Sequence, residues 1–140
     1  MKLVLDTGIL VSALIKEPSA NRHILLMPAF DFYLPEYAMD EINRHRGKIS
    51  ELSGLTGDEL SVLFSLLMER VTIVPALLIK PHIRKAASLI GRGDEKDIPF
   101  VALALAIENE GIWTNDKDFS EISDVRIWST KDILEYLAVD

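Results

Sequence analysis

Four carboxylates in this 140-residue chain stand at the ends of expected elements or on faces that solvation alone does not explain: Asp6, Glu41, Asp97 and Asp116. Asp6 follows Lys2-Leu3-Val4-Leu5, and a near-continuous apolar run is what fills a central parallel strand buried on both faces. Asp116 follows Ile112-Trp113-Thr114, where Ile112 and Thr114 share its alternating face. If these strands are parallel, both carboxylates leave the sheet at one edge, and sites in open α/β sheets form beyond the carboxyl ends of strands. Asp97 stands at the mouth of a long apolar segment, and Glu41 lies beside Ile42 at the border of another apolar stripe. Each has a plainer reading. Asp6 and Asp97 suit helix caps, Asp116 suits a turn, and Glu41 suits a solvated face. The joint pattern says more. Carboxylates aimed at one point repel and raise one another's pKa, and a divalent cation removes that penalty. Oxygen ligands in a chain without cysteine select Mg²⁺ or Mn²⁺ over Zn²⁺. Such ions commonly serve phosphoryl chemistry.

The elements that must position these acids are legible as periodicity. Residues 8–15 read as a short apolar helix, and Pro18-Ser19 opens another with Ser19 as cap and Ile24, Leu25 and Met27 buried. Residues 30–34 read as a second strand. Residues 36–52 read as one helix, with Ala38, Ile42, His45, Ile49 and Leu52 on a single stripe. Thr56-Gly57-Asp58-Glu59 is a capping box opening a helix through Met68. Residues 71–75 are a third strand. A basic amphipathic helix spans 79–90 and stops at Gly91. Residues 97–109 are apolar nearly all round and should be deeply buried, with Pro99 in the first turn. A fourth strand runs 111–114, a short fifth 125–128, and a last helix 130–137 capped by Thr130. Strands alternate with helices from end to end, so the fold is α/β with a parallel sheet in one domain.

The net charge of −7 argues against a generic nucleic-acid coat. It does not argue against a nuclease, whose metal-binding acids are themselves negative. No apolar run reaches the ~18–20 residues that span a bilayer. With no cysteine and no leader pattern before the first strand, the expected location is the cytoplasm.

The sequence resembles the PIN domain family, metal-dependent ribonucleases that include the toxins of type II toxin–antitoxin pairs. The resemblance rests on residues 4–14, on Pro35-Glu36-Tyr37 with Asp40-Glu41-Ile42, on residues 94–104 and on residues 112–119. It implies a three-layer α/β/α fold with a central, mainly parallel sheet of four to five strands. It implies that Asp6, Glu41, Asp97 and Asp116 surround Mg²⁺ or Mn²⁺, with Asp118 and Asp94 as secondary ligands. Thr7, Thr114 and Asn115 would stand behind the aspartates. RNA as substrate, a homodimer and an antitoxin partner are implied with them. The chain departs from the family at Gly8, where Asn or Ser is usual and a hydrogen bond in the outer shell is lost.

RNA needs cations, and two clusters offer them: Arg44, His45, Arg46 and Lys48, then Lys80, His82, Arg84 and Lys85. Both also read as solvated helix faces. Competing readings fare worse. Asp6-Thr7-Gly8 is an aspartic-protease signature, but those enzymes are almost wholly β. A phosphatase with a nucleophilic Asp wants a second Asp at position 8. Arg92-Gly93-Asp94 spells an adhesion tripeptide by chance. The remaining alternative is an inert PIN-like module that binds RNA or protein.

Overall fold

Leu3, Val4 and Leu5 are fully buried, and the strand they form is the middle of the sheet. In the computed structural model of the chain, residues 1–15 and 19–138 are described. The elements in order are β1 (Lys2–Leu5), α1 (Thr7–Ile15), α2 (Ala20–Leu25), β2 (Asp31–Pro35), α3 (Glu36–Arg44), α4 (Arg46–Ser53) and α5 (Gly57–Leu67). They continue with β3 (Val71–Val74), α6 (Ala76–Ile79), α7 (Ile83–Ile90), α8 (Ile98–Ala106), β4 (Ile112–Trp113), β5 (Ile127–Trp128) and α9 (Thr130–Ala138). The five strands run in the order β3-β2-β1-β4-β5 with every pairing parallel. The chain thus builds outward from β1 in one direction, then returns to add β4 and β5 on its other side. That reversal is a topological switch point, where a crevice opens beyond the carboxyl ends of two neighbouring strands. Leu5 pairs with Trp113, and the ladder extends one bond further, from the Asp6 N–H to the Trp113 carbonyl at 3.1 Å. Asp6 and Thr114 are therefore held side by side at the crevice.

Helix α8 packs on β1, β2 and β4, so its first turn delivers Asp97 to the same place. Phe100, Val101, Ala102 and Leu103 are buried against the sheet. The second half of this segment is only half-buried, and the helix stops at Ala106 rather than at Asn109. The reason is Asn109: its side-chain amide donates to the Ala104 and Ile107 carbonyls and its oxygen accepts from the Gly111 N–H. Gly111 (φ 134°) then enters β4 so close to β5 that a Cβ would lie 2.3 Å from the Arg126 carbonyl oxygen.

Several expected boundaries shift for identifiable reasons. The helix expected over residues 36–52 breaks at His45 (φ −107°, ψ 11°). Ala38, Ile42 and Ile49 are buried as the stripe requires, but His45 is exposed and Leu52 is 57 % exposed. The break restarts the helical phase, which turns both out of the stripe. The helix expected over 79–90 is instead α6, a 3₁₀ turn over Lys80–His82 and α7, because Pro81 lacks the N–H a continuous helix needs. Thr130 does not cap the last helix. Ser129 does, its hydroxyl accepting from the Asp132 N–H while Asp132 accepts from the Ser129 N–H. Ser19 caps α2 and the Thr56–Glu59 capping box forms as expected. Ile24 and Leu25 are buried, whereas Met27 lies past the end of α2 and is half-buried. Pro18 lies outside the described residues. Among those residues no helix is long and apolar enough to cross a membrane.

Candidate metal centre

Carboxylate oxygens of Asp97, Asp116 and Asp118 lie within 4.8 Å of one another at the switch point. Three elements meet to make this triad. Asp97 ends a 3₁₀ turn over Glu95–Asp97 and leads into α8. Its side chain caps nothing, so the cap reading fails and the carboxylate is left for other work. Asp116 caps a 3₁₀ turn over Lys117–Glu121, its Oδ1 accepting from the Asp118 N–H at 2.9 Å. The turn reading of Asp116 is therefore correct, and the turn is what folds Asp118 back into the triad. Asp94 makes a similar bond to the Lys96 N–H at 2.9 Å.

Asp6 stands behind the triad, largely buried. Burial pushes its carboxyl above the usual range, and the Asp116 and Glu41 charges push the same way. The Thr114 hydroxyl and the Gly8 N–H pull it back by hydrogen bonding to the ionised form. Thr114 is 1 % exposed and its hydroxyl has a fixed direction. It accepts from the Asp116 N–H at 3.0 Å, so its own proton goes to Asp6 Oδ2 at 2.6 Å. One buried hydroxyl thus ties two acids together. Asp97 is pushed up to about 7, first by burial and then by Asp116, Asp6, Asp94 and Asp118. The acids expected together are therefore electrostatically coupled. Glu41 acts on Asp6 and is not a member of the tight triad.

The outer groups divide. Thr114 bonds to Asp6 and to the Asp116 N–H. The Thr7 hydroxyl is buried (6 % exposed) and has no hydrogen-bond partner among the described residues. Asn115 turns away from the acids, its amide donating to Thr130 Oγ1 and its oxygen accepting from the Thr130 N–H. It pins α9 to the end of β4. Among the cations, Arg46 donates to Ser61 Oγ at 2.6 Å and Lys85 lies 3.9 Å from Asp124. Arg44, His45 and Lys48 are exposed.

These residues fit a hard divalent cation. The donor set is all oxygen, and no acid of the cluster has a Lys or Arg ion-pair partner among the described residues. The raised Asp97 and Asp6 pKa values come first from burial and then from the neighbouring carboxylates, and a bound cation would offset both. Thr114→Val should show how far the hydroxyl matters. It leaves a buried carboxylate without its donor and a buried N–H without its acceptor, so Mn²⁺ affinity should fall by about 10-fold or more. Calorimetric titration of Mn²⁺ into the variant checks this; an unchanged affinity would remove Thr114 from the centre. Gly8 makes a second test. A Cβ built there lies 3.7 Å from Asp6 Oδ2, an ordinary contact, so a serine fits without displacing anything. Gly8→Ser should raise the melting temperature, because glycine in a helix costs roughly 0.5–1 kcal/mol, and should tighten Mn²⁺ binding a few-fold through a new donor to Asp6. Weaker binding would show that the open space at position 8 serves the ion.

The fold and the cluster define an α/β protein with an acidic crevice at the switch point of an all-parallel sheet. The model of the PIN domain family matches residues 4–138, and the chain belongs to that family. In fold it is similar to a chain from the crystal structure of VapBC2 from Rickettsia felis bound to a DNA fragment from their promoter. The two share 20 % identity and a TM-score of 0.67, over 92 % of this chain and 98 % of that one. No curated protein matches the sequence.

Proposed function

We propose that this PIN domain is a metal-dependent endoribonuclease that hydrolyses RNA phosphodiesters. What carries the reading is the unpaired triad of Asp97, Asp116 and Asp118 at the crevice of a PIN fold. Asp6, Glu41, Asp97 and Asp116 would hold Mg²⁺ or Mn²⁺, with Asp118 and Asp94 completing the set. When bound, the ion supplies activation of water and stabilisation of charge on the phosphodiester. The protein's own part is to orient. Thr114 fixes the Asp6 carboxylate by donating to it and fixes the Asp116 loop by accepting from it. The 3₁₀ turn after Asp116 sets Asp118, and α8 sets Asp97. No serine, cysteine or histidine stands in the triad, so no covalent intermediate with the chain is invoked. Exposed Arg44, His45 and Lys48, with Arg46, follow Glu41 and are candidates for outer phosphate contacts.

From family membership we further infer that the chain is the toxin of a toxin–antitoxin pair in the cytoplasm, acting as a homodimer with an antitoxin as its partner. The likeness to the VapBC2 chain supports the antitoxin partner. Mixed RNAs incubated with Mn²⁺ should be cut, and EDTA should stop the cutting. RNA left intact under both conditions, but bound, would favour the inert module.

A further inference from the structure

An RNA phosphate is negative, and so is the mouth of the crevice it must enter. Cations within reach of the triad are therefore needed, and two of them line the cleft that shares Asp118 with it. We propose that Arg92 and Lys117 hold the RNA phosphate next to the cleaved one. This rests on the ribonuclease reading above. Both residues line a 450 Å³ cleft together with Asp94, Asp118, Ile90 and Ile122. The cleft shares Asp118 with the triad, so a strand lying in it runs directly onto the candidate metal centre.

Both cations sit on short turns whose shape is locally fixed. Gly91 (φ 63°) ends α7, and the Gly93 N–H donates back to the Ile90 carbonyl at 3.1 Å. A Cβ at Gly93 would lie 2.6 Å from Ile90 Cγ2, so glycine is what lets the chain double back there. Arg92 stands between these glycines and two residues from Asp94. Lys117 opens the 3₁₀ turn that Asp116 caps. Neither side chain has a hydrogen-bond or ion-pair partner among the described residues, unlike Arg46 and Lys85. Two unpaired cations beside carboxylates they do not neutralise suit an anionic ligand. Arginine offers a planar fork to two phosphate oxygens and lysine a point charge. Ile90 and Ile122 give aliphatic surface for the ribose between phosphates.

The test is Arg92→Gln with Lys117→Gln in the full chain, assayed with Mn²⁺ on an oligoribonucleotide. KM should rise about tenfold or more, with the effect on KM rather than kcat. The slope of log(kcat/KM) against log salt should shrink by about 0.7, the value for one neutralised phosphate of a single strand. The Mn²⁺-induced rise in melting temperature should persist. Lys2→Gln with Arg70→Gln removes the same charge at the start of β1 and just before β3, at the opposite edge, and should leave KM unchanged. Equal losses in both double variants would reduce the effect to net charge and overturn the proposal. So would an unchanged KM and slope in the first, or a loss of its Mn²⁺ response. If the wild type cuts RNA while Arg92→Gln/Lys117→Gln behaves identically, only this inference fails. A wild type that cuts no RNA overturns the ribonuclease reading, and this with it.

Discussion

Asp97→Asn should lower Mn²⁺-dependent RNA cleavage on the order of 10³-fold while the fold survives. The substitution keeps the shape of the side chain and removes one charge from the centre of the cluster. Asp97 feels Asp116, Asp6, Asp94 and Asp118 together. Its side chain makes no cap hydrogen bond, so the helix it precedes loses nothing. In the absence of metal the variant should therefore melt higher than the wild type, because repulsion is relieved. Activity lost together with stability would point to a folding defect. Activity lost with stability gained is the signature of a cation ligand. Full activity in Asp97→Asn would remove it from the site.

The second large effect is the coupling of metal, pH and stability. Asp97 titrates at about 7 in the folded chain against an ordinary value of 3.8. The folded state therefore holds its proton more tightly than the unfolded state. Below about pH 4 both states are protonated and the contribution is complete. As pH rises from about 4 to 7 the unfolded state gives up the proton first, and stability falls through that window. Asp6 is raised by burial and adds in the same direction. Allowing for solvent screening of a half-buried group, the loss is about 1–2 kcal/mol, or ~3–6 °C. Mn²⁺ should reverse it, since it binds the assembled cluster. At 100 times its Kd the ion should add about 2.7 kcal/mol, or roughly 8 °C, at pH 7.5. The gain should shrink at pH 5, where protons compete for Asp97. Melting curves at both pH values, with and without metal, check the sign. Equal metal shifts at pH 5 and 7.5 would contradict the assignment of Asp97.

Much of the site is legible in the sequence because strand ends are. Lys2-Leu3-Val4-Leu5 can only be a buried strand, and the acid that ends it must emerge at an edge. The same holds for Asp116 after β4. What the sequence does not display is turn geometry. Asp118 reads as a secondary candidate because no periodicity places it, yet the Asp116 turn folds it within 4.8 Å of the other two acids. Arg92 is hidden for a similar reason: Gly91 reads as a helix stop and Arg92-Gly93-Asp94 as a chance tripeptide, and only the folded chain brings Arg92 into one cleft with Lys117 and Asp118. Asn115 adjoins an acid in sequence and is used elsewhere, because its partner Thr130 is brought in from a distant helix. Thr7 adjoins Asp6 but makes no bond to it, since the helix begins at once and α1 carries its side chain into the interior. The break at His45 is likewise invisible in a spacing of apolar residues that continues past it.

The most direct test follows RNA cleavage and melting temperature in one Mn²⁺ titration of the wild-type chain. The Mn²⁺ Kd that fits the rise in melting temperature should match the Mn²⁺ concentration giving half-maximal cleavage, and EDTA should abolish both. RNA left intact at Mn²⁺ concentrations far above that Kd would contradict this account.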